Sequence, residues 1–217
     1  MTESGIDRSA EAALLDVEHI TVEFPGVRAL DDVHFGVRAG EVHALVGENG
    51  AGKSTLLKVL GGVYMPTAGR IHLDGAAFKP AHPSDAITAG IAVIYQEFTL
   101  FPDLTVAENV YVGREPYSRN TRGIRFGEMR AECHRIFDLL GVKIDPDARV
   151  ADIGVAEQQL VVIARALSTD ARVIVMVEPT AALNRNEVAS LLSVVRRLRD
   201  EGRAIIYVSH HLEEVFE

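Results

Sequence analysis

Apolar positions recur along the 217-residue chain with two periods, and the changes between them mark out its elements. Short stretches rich in β-branched residues come first: "DVEHITVEF", "GVRAL", "VHFGVRAG" and "EVHALVG" read as strands separated by glycine-containing turns. "KSTLLKVLGG" has helical spacing and closes on Gly61 and Gly62. "GRIHLDG" and "GIAVIYQ" are strand-like again. From about Thr99 to Leu167 the spacing turns helical, interrupted by "GREPYSRNTRGIRFG", a loop too polar for a core. "RVIVMV" then predicts a strand, "NRNEVASLLSVVRRLRDEG" an amphipathic helix and "RAIIYVS" a further strand. Val188, Leu191, Leu192, Val195 and Leu198 share one face of that helix, and Gly202 follows it. Strand, helix, strand with uninterrupted apolar strands is the pattern of a βαβ crossover in a parallel sheet covered on both faces. The expected architecture is an α/β core with a helical insertion, entered from a polar tail over residues 1–13. There is no internal repeat and no low-complexity segment.

Composition narrows the function. A formal net charge of −9 opposes a general nucleic-acid binder, which needs a basic face, and the basic run "RRLRDEGR" reads as the solvated side of a helix. One cysteine, Cys133, rules out an internal disulfide and points to a reducing compartment. In "MRAECHRIFDLL" the apolar residues Met129, Cys133, Ile136, Phe137 and Leu140 keep helical spacing, so Cys133 reads as core rather than nucleophile. No apolar run approaches the ~18 residues a membrane span needs. The expectation is a soluble chain whose membrane role, if any, passes through a partner.

The chemistry concentrates in "GENGAGKST", Gly47 to Thr55, which fits G-x-x-x-x-G-K-[ST] between the strand "VHALV" and the helix "KSTLLKVL". Gly50 and Gly52 let backbone N–H groups turn inward around phosphate oxygens without interference from a Cβ. The helix N-terminus adds partial positive charge. Lys53 reaches the β and γ phosphates, and the Ser54 hydroxyl is placed for Mg²⁺. The competing reading is a glycine-rich turn that binds nothing, and the motif alone does not specify the reaction.

Later segments follow in a particular order: "VIYQEF" with Gln96 at a strand end, "DIGVAEQQLVVIARAL" opening a helix, "VIVMVEPTAAL", and "AIIYVSHHLEEV" with His210. In this order the chain resembles the nucleotide-binding domain of ABC transporter ATPases. The wording of "FPGVRAL", "IYQEF", "LTVAENVYVGREP", "EQQLVVIARAL" and "SHHLEEVFE" is similar to the bacterial sugar-import members of the ribose, galactose and xylose type. The resemblance implies a P-loop NTPase core of the ABC ATPase type over residues 14–217. An N-terminal antiparallel β subdomain and a helical subdomain at about 99–167 go with it. It also implies ATP and Mg²⁺ as cofactors. Phe24 would stack on adenine, the competing reading being a simple core anchor beside Pro25. Gly47, Asn49, Gly50, Ala51, Gly52, Lys53, Ser54 and Thr55 would hold the phosphates, with Mg²⁺ on Ser54 and Gln96. Gln96, Glu178 and His210 would be catalytic: Gln96 senses the metal and couples to the membrane subunit, Glu178 polarises the attacking water and His210 meets the γ-phosphate. Gly154, Ala156 and Glu157 would face the ATP of a second nucleotide-binding domain, on the same polypeptide or in a homodimer. A membrane permease and, indirectly, a periplasmic sugar-binding protein complete the implied assembly, at the cytoplasmic face of a bacterial plasma membrane. His210 and His211 alternate in direction along a strand, so a shared metal is not expected from them. Family members continue with further strands beyond this point, so the resemblance also implies a first domain cut short at its C-terminus.

Two motifs depart from the family pattern. Val177 stands where the family has an aspartate that orients Mg²⁺ through water; valine keeps the strand but offers no acceptor. The signature reads Ile153, Gly154, Val155, Ala156, Glu157 in place of Leu-Ser-x-Gly-Glu/Gln. Gly154 lacks the hydroxyl for a γ-phosphate, and Ala156 would cost about 1–2 kcal/mol if its φ were positive. Two readings stay open: an importer ATPase with low intrinsic turnover, or a degenerate ATP-binding scaffold paired with an intact domain.

Overall fold

Two four-stranded sheets organise the chain in the computed structural model, which describes residues 13–48, 50–95, 100–118 and 123–210. The first is antiparallel and joins β1 (Leu15–Phe24), β2 (Val27–Val37), β4 (Ala68–Leu73) and β5 (Ala76–Ala77) in the order β2-β1-β4-β5. In β1, Leu15, Val17, Ile20 and Val22 are buried and their neighbours Asp16 and Glu18 turn to the other face. The pattern skips a beat at His19, whose φ of 54° and the register shift beside it mark a bulge. "GVRAL" and "VHFGVRAG" form one strand, not two. Asp31 and Asp32 interrupt the apolar pattern, but Asp32 absorbs the irregularity at φ 52° and β1 continues pairing on both sides of it.

The second sheet is parallel, with β3 (Val42–Val46), β8 (Ala204–Ser209), β7 (Val173–Val177) and β6 (Ile91–Ile94) as neighbours in that order. β6, β7 and β8 read as apolar runs because both their faces are covered, whereas β3, at the sheet edge, is part-exposed. Val173 and Val175 pack with the first sheet and α1 (Lys53–Leu60), whereas Ile174 and Met176 pack with the helices.

Those helices are α3 (Val106–Tyr111), α4 (Phe126–Leu140), α5 (Val155–Leu167) and α6 (Arg185–Asp200), with a 3-10 turn at Val150–Asp152. In α4 the five apolar residues picked out by spacing, Cys133 among them, are the buried ones. In α6 Leu191, Leu192, Val195 and Leu198 are buried as the stripe predicts, Val194 joins them, and Val188 is half-buried. Each fully buried aliphatic side chain contributes about 1.5–3 kcal/mol relative to exposure. A short helix, α2 (Pro83–Thr88), was not foreseen; Asp85 Oδ2 accepts the Ala81 and His82 N–H groups at 2.9 Å and Pro83 opens its first turn. No helix among the described residues is long and apolar enough to cross a membrane.

Candidate functional site

Parallel sheets place ligand crevices beyond the carboxyl ends of their strands. Here β3 runs into the glycine loop and α1, β7 ends at Val177 before Glu178, and β8 ends at Ser209 before His210. These ends meet around a cavity of about 510 Å³ whose lining includes Lys53, Ser54, Thr55, Val177, Glu178 and His210. Residues 124 positions apart in the chain are thereby brought to one place (Lys53 to Val177), which no local pattern can show.

The loop is shaped by its glycines. Gly50 and Gly52 have φ of 88° and 87°, in the left-handed region. At Gly50 nothing lies within 4 Å of a would-be Cβ, so the requirement is conformational alone. At Gly52 a Cβ would sit 2.5 Å from the Ala29 carbonyl oxygen and 2.7 Å from Leu30 Cδ2, so β2 itself presses against the loop. Gly47 precedes the turn, Ala51 is exposed at its crest, and the Ala51 N–H donates to the Glu48 carbonyl at 3.2 Å. The Lys53 ammonium donates to the carbonyls of Gly47 and Glu48, the latter at 2.9 Å. It is thus held across the loop as a charge near which an anion gains most. Ser54 is exposed and Thr55 half-buried in the first turn of α1.

Opposite the loop, Glu178 has φ of 46°, an uncommon conformation for a residue with a side chain, and its N–H donates to the Val208 carbonyl at 2.8 Å. This turn directs its carboxylate into the crevice, where the side chain is only 13% exposed. Glu178 Oε2 is buried, and His210 Nδ1 stands 2.8 Å from it. That is an ion-pair separation when the imidazole is protonated, without the alignment of a good hydrogen bond. Val177 lies half-buried in the same wall and gives it an isopropyl group. The cavity can therefore take an anion at Lys53 and a water at Glu178, with Ser54 and Thr55 as the hydroxyls available to a cation. Ser54, exposed on the first turn of α1, leaves its hydroxyl open to a cation carried in on phosphates, and the Val177 side chain beside it offers no oxygen donor.

Phe24 closes β1 at 40% exposure, edge-on to Tyr64 with ring centroids 5.3 Å apart, and is not part of the cavity lining. The residues just after it are: Val27, Arg28 and Ala29 supply the wall on that side. Sequence reading passed over Arg28, whose guanidinium is tied to Glu23 at 2.8 Å and Asp31 at 3.1 Å. Those carboxylates, Glu23 foremost, raise its pKa still further. Its place directly after the turn that carries Phe24 was the available signal.

Gly154, Ala156 and Glu157 open α5, away from the cavity lining. Glu157 Oε2 accepts the Gly154 N–H at 2.9 Å, which closes the first turn of the helix. Ala156 lies within α5 and has no positive φ, so the backbone cost that an alanine would bear in the left-handed region does not arise. A Cβ on Gly154 would meet only Glu157 Oε2 at 3.6 Å, so the missing hydroxyl is not forced by lack of space. Asn49 and Gln96, also expected at the site, lie outside the described residues.

Comparison with known proteins agrees with this fold. The ABC transporter family model matches residues 30–181. The ribose import ATP-binding protein of Hahella chejuensis is 52% identical over 206 residues, covering 94% of this chain and 41% of the relative. The arabinose import ATP-binding protein of Chromohalobacter salexigens is 51% identical over 206 residues, with 94% and 41% covered. The chain thus spans about two fifths of the length of the curated relatives it matches. Among solved structures, a nucleotide-free ATP-binding cassette from an ABC transporter aligns with a TM-score of 0.82 at 26% identity, over 94% of this chain and 84% of the other. The chain belongs to the ABC transporter family.

Proposed function

We propose that this chain is an ATP-binding and ATP-hydrolysing domain of a bacterial carbohydrate importer, with low intrinsic turnover. The observation that carries the reading is the cavity itself. It joins a phosphate loop with Lys53 at its centre to Glu178 and His210, and Val177 stands among them. The similarity to ribose and arabinose import ATP-binding proteins supports the choice of cargo class.

ATP would enter with its phosphates on the loop amides and Lys53, and its base toward the Phe24 side of β1. Ser54 would hold Mg²⁺, joined by Gln96, and the bound ion would neutralise charge on the phosphates. Glu178 would orient the attacking water, and His210, beside it, would meet the γ-phosphate. Gly154, Ala156 and Glu157 would face the nucleotide of a second nucleotide-binding domain, on the same polypeptide or in a homodimer. The domain would work peripherally on the cytoplasmic face of the membrane, on a permease supplied by a periplasmic sugar-binding protein.

Val177 favours a second reading as well, an ATP-dependent scaffold whose paired domain performs the hydrolysis. Calorimetric titration of Mg-ATP together with single-turnover phosphate release separates the two. Micromolar binding with slow but measurable release supports the ATPase. Binding with no release supports the scaffold. Absence of binding, with Lys53→Ala indistinguishable from the parent, would falsify both.

A further inference from the structure

On the first sheet, away from the nucleotide cavity, Asp16, Glu18 and His72 turn to the same face. Asp16 and Glu18 are two apart on β1, and His72 on β4 is the direct cross-strand partner of Asp16. One donor atom from each lies within 4.8 Å of the other two, and His72 Nδ1 is 3.8 Å from Glu18 Oε1. All three are half-buried, while Leu15, Val17, Ile71 and Leu73 on the opposite face are in the core. The framework is therefore rigid: strand pairing on both sides of β1 and a packed layer beneath it fix where the three side chains start.

We propose that Asp16, Glu18 and His72 form a binding site for a borderline divalent cation of the Zn²⁺ or Co²⁺ kind. Three features point to a ligand rather than to a chance surface grouping. The donors are mixed, one imidazole with two carboxylates, the set that suits these metals and not the all-oxygen sites preferred by Mg²⁺ and Ca²⁺. Donors around a tetrahedral zinc stand about 3.3 Å apart at the usual 2.0–2.2 Å bond lengths, so the separations seen here close by χ rotations of roughly an ångström. The approach is also open. Asp16 and His72 line a cavity of about 660 Å³, leaving room for the waters that complete a three-residue site. Its other charged walls, Asp74 and Arg172, are paired with one another at 3.0 Å, so Arg172 is engaged outside the donor set. A bound ion would bridge β1 to β4 and relieve the repulsion between two carboxylates on neighbouring outward positions.

The test uses the nucleotide-free chain, so that no phosphate-borne metal contributes. Calorimetric titration with ZnCl₂ is expected to give one equivalent bound. Affinity should fall at least tenfold in both Asp16→Asn and His72→Gln, because removing a direct ligand costs no less than the ~10–100-fold seen for second-sphere partners. Paramagnetic Co²⁺ at substoichiometric amounts should broaden the His72 imidazole signals before those of other histidines in the unaltered chain. That readout stands even if a variant fails to fold. No binding, binding unchanged in the two folded variants, or earlier broadening of another histidine overturns the site.

Discussion

Val177 and Gly52 show at the level of single residues how a position is constrained from opposite directions. Gly52 is fixed by its φ and by the Ala29 carbonyl that a Cβ would strike, so the phosphate loop cannot accept alanine there. Val177 is free of any such demand. It is a half-buried strand end with cavity on one side, and an aspartate would project into the same crevice as Ser54. Val177→Asp is therefore expected to raise Mg²⁺ affinity in the nucleotide complex by about 10–100-fold and to raise the rate of phosphate release. Metal titration of the ATP-bound chain beside a turnover assay reads both. No change in either quantity removes the metal explanation for the proposed low turnover. Ala156 carries a lesson of the other kind. Its substitution reads as damaging against the family pattern, yet inside α5 an alanine is the best helix former available.

At the scale of elements, termini matter as much as faces. The Asn184 side chain accepts from the N–H groups of Asn186 at 3.0 Å and Glu187 at 3.1 Å, and Glu187 Oε2 accepts the Asn184 N–H at 2.8 Å. This reciprocal cap starts α6 directly after the turn that carries Glu178. Asn184→Ala should destabilise the chain by about 1 kcal/mol, measured by urea denaturation, since a lost cap typically costs that much. The stripe of α6 and the buried set of α4 were legible from spacing because a helix one face wide against a core must repeat its apolar residues every three or four positions. The join of "GVRAL" to "VHFGVRAG" was not, because pairing with β1 along both halves overrides the local signal of two aspartates. The short α2 was missed for want of length, although Pro83 and Asp85 were its visible capping residues.

For the whole molecule, burial sets the behaviour of groups far from any site. Cys133 lies in the helical core, where desolvation foremost, with Glu132 adding to it, pushes its thiol up to about 12. Its ordinary value is near 9. The folded thiol stays neutral where the unfolded one ionises, so its contribution to stability is intact below pH 9 and is lost progressively as pH rises from 9 toward 12. Urea midpoints of the parent should fall more steeply over that window than those of Cys133→Ala, and a thiol reagent at pH 8 should react only once the chain is unfolded. The sequence by itself determined the phosphate loop, the helical faces and the buried parallel strands, because each is a local pattern with one geometric reading. Only the tertiary structure decided that Val177, Glu178 and His210 face Lys53 across a single crevice, that Phe24 stands aside while Arg28 supplies the wall, and that Asp16, Glu18 and His72 meet on a sheet face. Those groupings depend on which strands become neighbours, and neighbour order is set by packing the whole chain.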